Sequence, residues 1–517
     1  MAKHPRILSI PAIVVAVLLT FGCAARERSA AHAKNGRAPA ARPVPPEARL
    51  TAAAGHVVIT PTPDNHPTTI YLGGIYPPRL ATGVHDDLLA SALVLRRGDR
   101  HVVLVVLDFL GFSRSRIREC QETVAAALAA AGFDPDHLLI ASTHTHEAPD
   151  TLGAFGPNPW TSGVSRVYMA FVQQAIVDLV LGLWDQAVPV TMRAATAPVD
   201  DPGSNYPHLA ADLREPEIAV PFVAAARFDD EAGNAVATLV NWHIHPEVMI
   251  YQNMISADFP RWVRERVEAV SGGTCVYLSG AIGGLATPTG VDVPERDEND
   301  RPVLDDQGRQ VYLRDGTWDK ARSLGFVIAD LALGALEGAP AWSAPGLAVA
   351  VRPMPLPVQS PILELAYVIR LIEFDPRDLI TGDPAFCGWF GCSDERLGVV
   401  RVGPVALETS PGETFPETFV GRPESTYDFG PGWGPFTFPA LDGLADHSAA
   451  AVPLHAGLCG EEIGYLIPAA DFPPKGHPDY YEEDLFLGYD TETYYRAAAI
   501  ELLTETQGGE GNGGERE

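Results

Sequence analysis

No two of the six cysteines are spaced Cys-x-x-Cys, which argues against a zinc site built from paired thiolates. Basic side chains are scarce: 37 Lys and Arg stand against 66 Asp and Glu, a formal charge of −29. That balance argues against nucleic acid or an anionic membrane surface as a partner. No internal repeat is visible along the chain. The apolar run over 10–21 is too short for an ordinary membrane span. Turn residues, in contrast, are abundant. The 46 Pro and 48 Gly predict many short elements joined by structured loops. At 517 residues, 46% of them hydrophobic, the chain can form one large domain or two to three ordinary ones.

The N-terminus reads as an export signal. Lys3 and Arg6 give a basic start, and the apolar run follows. It ends in Leu19-Thr20-Phe21-Gly22-Cys23, which resembles a bacterial lipobox with Thr20 where Leu is usual. The expectation is a signal peptide over 1–23, lipid on Cys23 and a flexible tether over 24–50 rich in Ala, Arg and Pro. The protein would then sit in the bacterial cell envelope, touching membrane only through that anchor. Plain secretion, with cleavage near Cys23, is the alternative. In an oxidising compartment Cys387 and Cys392 could close a small loop, while Cys120 and Cys275 read as buried thiols.

Two distant stretches organise the rest. One is His144-Thr145-His146, ending the apolar run 137–143; the other is His243-Ile244-His245, ending 235–242. Each reads as a buried strand running into a polar tip. Residues i and i+2 of a strand share a face, so each pair can present two imidazoles in one direction. Neutral imidazole is a common zinc ligand, and α/β sheets hold ligands at strand ends. Loop histidines with no ligand would give the same spacing, so spacing alone leaves both readings open.

Around these tips the order is strand (88–95), hairpin turn at Gly98-Asp99, strand (102–107), helix (115–131), then the strand into His144. A helix at 167–183, a hairpin over 222–240, a helix at 259–270, a strand at 275–278 and a helix at 319–336 follow. The charged stretch 291–316 reads as a surface insertion. Past 345 the pattern changes to short, proline-rich β segments. A strand at 399–407 leads to Glu408-Thr409-Ser410-Pro411-Gly412-Glu413, and a last strand at 462–467 carries Tyr465 before a helix at 491–503. This predicts an α/β fold: a mixed β-sheet with flanking helices in a single large domain over 51–506, with a disordered tail over 507–517.

Taken together, Thr82-Gly83-Val84-His85-Asp86, Asp108, Ser142-Thr143-His144-Thr145-His146, Asn241-Trp242-His243-Ile244-His245-Pro246, Ser256-Ala257-Asp258, Pro411-Gly412-Glu413 and Ile463-Gly464-Tyr465 resemble the neutral ceramidase family of zinc amidases. The resemblance implies Zn2+ held by His144, His245, Glu413 and Tyr465, with His146 beside it as a catalytic helper. It implies hydrolysis of an N-acyl amide, in ceramide or another lipid or small molecule, by metal-activated water. His243 takes no metal role, and Asp108 and Asp258 would orient loops or ligands. His85 would line the cleft, and Asp86 would cap a helix or turn. The chain departs from the family in three places. Glu147-Ala148-Pro149 stands where Ser-Gly-Pro is usual, placing a carboxylate near the metal. Gly284 and Ala286 replace an Asp and an active-site Ser, leaving Thr287 as the substitute hydroxyl. Only 52 residues follow Tyr465, too few for the family's C-terminal β-sandwich of about 100 residues. A surface lipoprotein that keeps the fold as a metal- or lipid-binding module, without turnover, is the alternative.

Overall fold

The structure, a computed structural model, describes residues 49–158, 160–199, 209–284, 286–368, 376–380, 382, 384–388, 390–472, 482 and 485–507. The expected signal segment with Cys23, the expected tether up to residue 48 and the tail from 508 lie outside the described residues.

An eight-stranded mixed sheet forms the centre. Its strands are β1 (Thr51–Val58), β2 (Leu89–Arg97), β3 (Arg100–Leu107), β4 (Leu138–Ser142), β5 (Val188–Pro198), β6 (Phe222–Asp230), β7 (Ala235–Trp242) and β8 (Thr274–Ser279). They lie in the order β8-β7-β6-β5-β1-β2-β3-β4. The long helices are α1 (Arg114–Ala127), α2 (Arg166–Trp184), α3 (Phe259–Ser271) and α4 (Trp318–Glu337).

The order reads the same outward from the β5–β1 junction. In each half, a strand pairs antiparallel with the next, a tight hairpin adds a third, and a helix crosses over to a parallel fourth strand. A second helix then returns over the first two strands, α2 on β1 and β2, α4 on β5 and β6. The topology is thus repeated although the sequence shows no repeat. Only the apolar pattern of the elements is shared. The 30 residues of loop between β1 and β2 have no counterpart of similar sequence between β5 and β6.

β2 and β3 are apolar at successive positions because both of their faces are covered. Ala90, Ala92, Val94, Val103 and Val105 face α1 and α2, whereas Leu93, Leu95, Val102 and Leu104 face a second sheet. That second sheet has five strands: β9 (Leu347–Pro357), β10 (Leu379–Ile380), β11 (Cys392–Val402), β12 (Val405–Thr409) and β13 (Val452–Ala456). The C-terminal helix α5 (Thr491–Glu505) covers its far side. Pro353, Pro355 and Pro357 occupy alternate positions of β9, an edge strand. Their missing N–H groups therefore fall on one side, where no ladder bond is needed. The proline-rich half is in this way compatible with a sheet.

Two strands were not expected from the sequence, and one expectation needs correction. The sequence reading has no counterpart of β1 or of β5. The single strand expected over 399–407 is a hairpin, β11 to β12, turning at Gly403, whose φ of 51° suits glycine. Cys387 and Cys392 are disulfide-bonded, and Cys120, Cys275 and Cys459 are buried free thiols.

Candidate metal centre

β4 ends at Ser142, and the chain beyond it is held by the segment that follows β3. Thr143 N donates to Leu107 O and His144 N to Phe109 O, both at 2.8 Å. His144 adopts a φ of 68°, a conformation that costs a side-chain residue roughly 1–2 kcal/mol. These two backbone bonds hold it there. Its Nδ1 donates to Leu110 O at 2.6 Å, which leaves Nε2 bare and aimed away from the backbone. His146 follows with its ring 5.1 Å from that of His144, in a T-shaped arrangement. Neither nitrogen of His146 has a hydrogen-bond partner among the described residues, although the side chain is buried. Gly74 closes over it, and a Cβ there would lie 2.4 Å from His146 Nδ1.

His245 comes from the other half of the sheet, just past β7. Its backbone N and its Nδ1 both donate to Ala286 O at 2.9 Å, so its Nε2 is the nitrogen turned toward the other two rings and Glu413. Its ring lies 5.1 Å from His144 and 5.7 Å from His146. One nitrogen from each of the three rings falls within 4.8 Å of the others.

Glu413 enters from the proline-rich half. It pairs in parallel with Tyr465, and its N donates to Gly464 O at 3.0 Å. Gly412 makes that approach possible, since a Cβ there would meet Gly464 O at 2.3 Å. The glycine loop 280–284 packs on the same segment, with Gly283 N donating to Thr414 O at 2.9 Å. The Glu413 carboxylate then sits 3.1 Å from His245 Nε2 and 3.5 Å from His144 Nε2, and it accepts a hydrogen bond from Tyr465.

The charges fit a cation here. Burial drives His144 down to about 4, and it drives His146 well below its usual value, helped by the two neighbouring rings. Burial would also lower His245, but the hydrogen bond to Glu413, with Glu247 and Glu413 as nearby charges, raises it to about 9. Burial alone would raise Glu413; His144 and His245 reverse that and hold it low. Two neutral imidazoles, a third sharing one proton with a carboxylate, and a phenol form a donor set that could hold a metal ion in place of that proton.

Other expected residues stand elsewhere. Thr287 donates to the Glu247 carboxylate and accepts from Thr289 N at 3.0 Å, so its hydroxyl is engaged by these groups. His243 does not join His245: its ring stacks on Phe419 at 4.8 Å. Asp108 holds Arg264 of α3 through two bonds of 2.9 and 2.7 Å, tying the two halves together. Asp258 accepts from Met249 N and Phe259 N at the start of α3, and burial pushes its carboxyl up to about 7. His85 stacks on Trp318 at 3.6 Å, and its Nδ1 meets Asp86 at 2.7 Å. Asp86 also receives Ser256 Oγ at 2.6 Å and Ala257 N at 2.9 Å. Glu147 turns to Thr145 Oγ1 at 3.2 Å and lies 3.9 Å from Arg79; burial pushes its carboxyl well above the usual range.

One organising residue escaped the sequence reading. Arg79 donates to Ile250 O and Gln252 O at 2.7 Å, to Gly73 O at 3.2 Å and to His146 O. It ties three loops around His146. Nothing around Arg79 in the sequence signals this, because its acceptors are all backbone carbonyls.

No family profile and no curated protein matches the sequence. Solved structures do match. Neutral ceramidase from Pseudomonas aeruginosa superposes with a TM-score of 0.60 at 13% identity, over 89% of this chain and 74% of that one. The chain has a ceramidase-like fold. A ceramidase solved as a complex with C2 gives a TM-score of 0.62 at 14% identity, over 89% of this chain and 76% of that one. At such identity the ceramidase likeness is one of fold. It agrees with the mixed sheet and flanking helices expected from the sequence.

Proposed function

We propose that this chain is a zinc-dependent amidohydrolase that cleaves an N-acyl amide bond in a lipid or a related small molecule. The convergence of His144, His245 and Glu413 from three separate parts of the chain carries the reading. The ceramidase-like fold supports it. His144, His245, Glu413 and Tyr465 would hold the metal. Zinc would activate a water at neutral pH and polarise the amide carbonyl.

The chain's own residues do the rest. Leu110 O and Ala286 O fix the tautomers of His144 and His245, so each offers Nε2. Neutral, unpaired His146 can take a proton and pass it to the leaving amine. Tyr465 holds Glu413 in place through its hydroxyl. Burial of the whole cluster keeps bulk water from competing for these groups. In the cell, lipid on Cys23 would tether the enzyme to the envelope near lipid substrates.

One observation favours a second reading, a metal- or lipid-binding module without turnover. The hydroxyl next to Ala286 in the chain, that of Thr287, is engaged with Glu247. Zinc-loaded protein assayed against N-acyl amides, esters and phosphoesters separates the two. Amide hydrolysis that is lost in His144→Ala supports the enzyme; inertness across the panel at full metal loading supports the module.

A further inference from the structure

Behind the histidine cluster lies a second group with the connectivity of a hydrolase triad. Ser410 Oγ is 3.1 Å from His455 Nε2, and His455 Nδ1 is 2.6 Å from Glu408 Oε2. Tyr495 of α5 donates to the other oxygen of Glu408, also at 2.6 Å. All four side chains are buried, Ser410, His455 and Tyr495 completely. Ser410 also accepts from Thr414 Oγ1 at 2.8 Å and has Gly412 O at 3.2 Å. A hydroxyl so enclosed has no face left for a substrate carbonyl. The arrangement calls for a role other than attack.

The backbone connections supply one. Ser410 N donates to Ala456 O at 2.9 Å, and Cys459 N donates to Ser410 O at 2.8 Å. Ser410 thus anchors the start of the turn that presents Glu413. His455, on β13, is gripped from the other side by Asn241 of β7. His455 N donates to Asn241 Oδ1 at 3.0 Å, while Asn241 Nδ2 donates to His455 O and to Leu278 O, each at 2.9 Å. Asn241 lies four residues before His245 in the chain. One histidine therefore bonds through its backbone to the strand that carries His245, and through its ring to the loop that carries Glu413.

Glu408 accepts at both oxygens, from Tyr495 and from His455 Nδ1, and the Ser410 hydroxyl lies between His455 Nε2 and Gly412 O. The hydrogen bonds run without a break from Thr414 through Ser410 and His455 to Glu408. No member is left unsatisfied, the condition under which a buried polar network fixes one arrangement.

We propose that Glu408, His455, Ser410 and Asn241 are positioning residues that set the distance between His245 and Glu413. The inference rests on the reading of those two as metal ligands.

The test is Zn2+ affinity, measured on the full chain by competition with a chromophoric chelator, with far-UV circular dichroism as the folding control. His455→Ala should bind Zn2+ roughly 10- to 100-fold more weakly while staying folded. His455→Gln, which restores a polar atom toward Ser410, should recover part of the loss. Tyr495→Phe and Ser410→Ala disturb the network less and should each weaken binding; they carry the test if His455→Ala does not fold. Unchanged Zn2+ affinity in the folded variants would overturn the proposal, as would a covalent fluorophosphonate adduct on Ser410. Wild type that binds no Zn2+ refutes the metal centre and this inference with it. Wild type that binds, with variants equal to it, refutes this inference alone.

Discussion

The two His-x-His pairs share their spacing and their place beyond a buried strand, yet only the first gathers its rings. His144 and His146 stand 5.1 Å apart and face a common centre. His243 leaves His245, stacks on Phe419 and accepts Ala281 N at 2.9 Å through Nδ1. The pairs also follow non-equivalent strands of the repeated half-sheet, the parallel fourth strand in one half and the third in the other. The two-residue period of a strand holds only while the ladder lasts. Past the last ladder bond, neighbours decide. Carbonyls of Phe109 and Leu110 turn His144 toward its partner. The missing Cβ of Gly280, which would lie 2.2 Å from His243 Nδ1, makes room for His243 to turn away.

Substitutions should break this symmetry of spacing. His245→Ala should reduce hydrolysis to background, because it removes a proposed ligand. His243→Ala should keep turnover near wild type and instead cost about 1–3 kcal/mol of stability as a buried side chain is lost. Steady-state rates and denaturant melts on the two variants check this. Equal loss of turnover in both would show that the pairs act alike.

Next in size is His146. His146→Ala should lower turnover on the order of 10²-fold as a lost proton carrier, while metal stays bound. Its ring lies close enough to the other two to serve as a third ligand instead. Loss of metal together with activity would move it from helper to ligand.

Much of this was legible in the sequence, for identifiable reasons. β2, β3, β4 and β7 are continuous apolar runs, and His144 and His245 follow the ends of two of them, whereas Glu413 and Tyr465 are picked out by the family resemblance. The repeated topology was not legible, since pairing partners such as β1 and β5 are far apart in sequence and touch at only two residue pairs. Arg79, Asn241 and His455 were hidden for a related reason. Each acts on backbone atoms or on residues far along the chain, so no local spacing records them. The turn at Gly403 was missed because Val399 to Leu407 is apolar on both sides of it. An apolar run does not reveal where a hairpin folds.

A smaller effect is expected at Thr287. With its hydroxyl committed to Glu247, Thr287→Ala should change turnover only a few-fold and should lower stability by about 1 kcal/mol through the lost hydrogen bond. Loss of all hydrolysis, or an acyl group trapped on Thr287, would restore it as a nucleophile.

The smallest effect calibrates the pairs against a histidine outside both. His101 Nε2 accepts Asp134 N at 3.0 Å, which requires a bare nitrogen. Burial, aided by His137, lowers its pKa from 6.5 to about 4. Between those values the unfolded chain binds the proton and the folded one does not. The stabilising contribution is therefore complete above about pH 6.5 and is lost as pH falls toward 4. The melting-temperature gap between wild type and His101→Gln should narrow over that window. A gap independent of pH would rule the linkage out.

Metal stoichiometry tests the central claim most directly. Wild type, His144→Ala and His243→Ala, purified alike and measured by elemental analysis, should differ as the two pairs differ. The expected result is one zinc per chain in wild type and in His243→Ala, and little or none in His144→Ala. Full zinc in His144→Ala, or its loss from His243→Ala alone, would contradict the site.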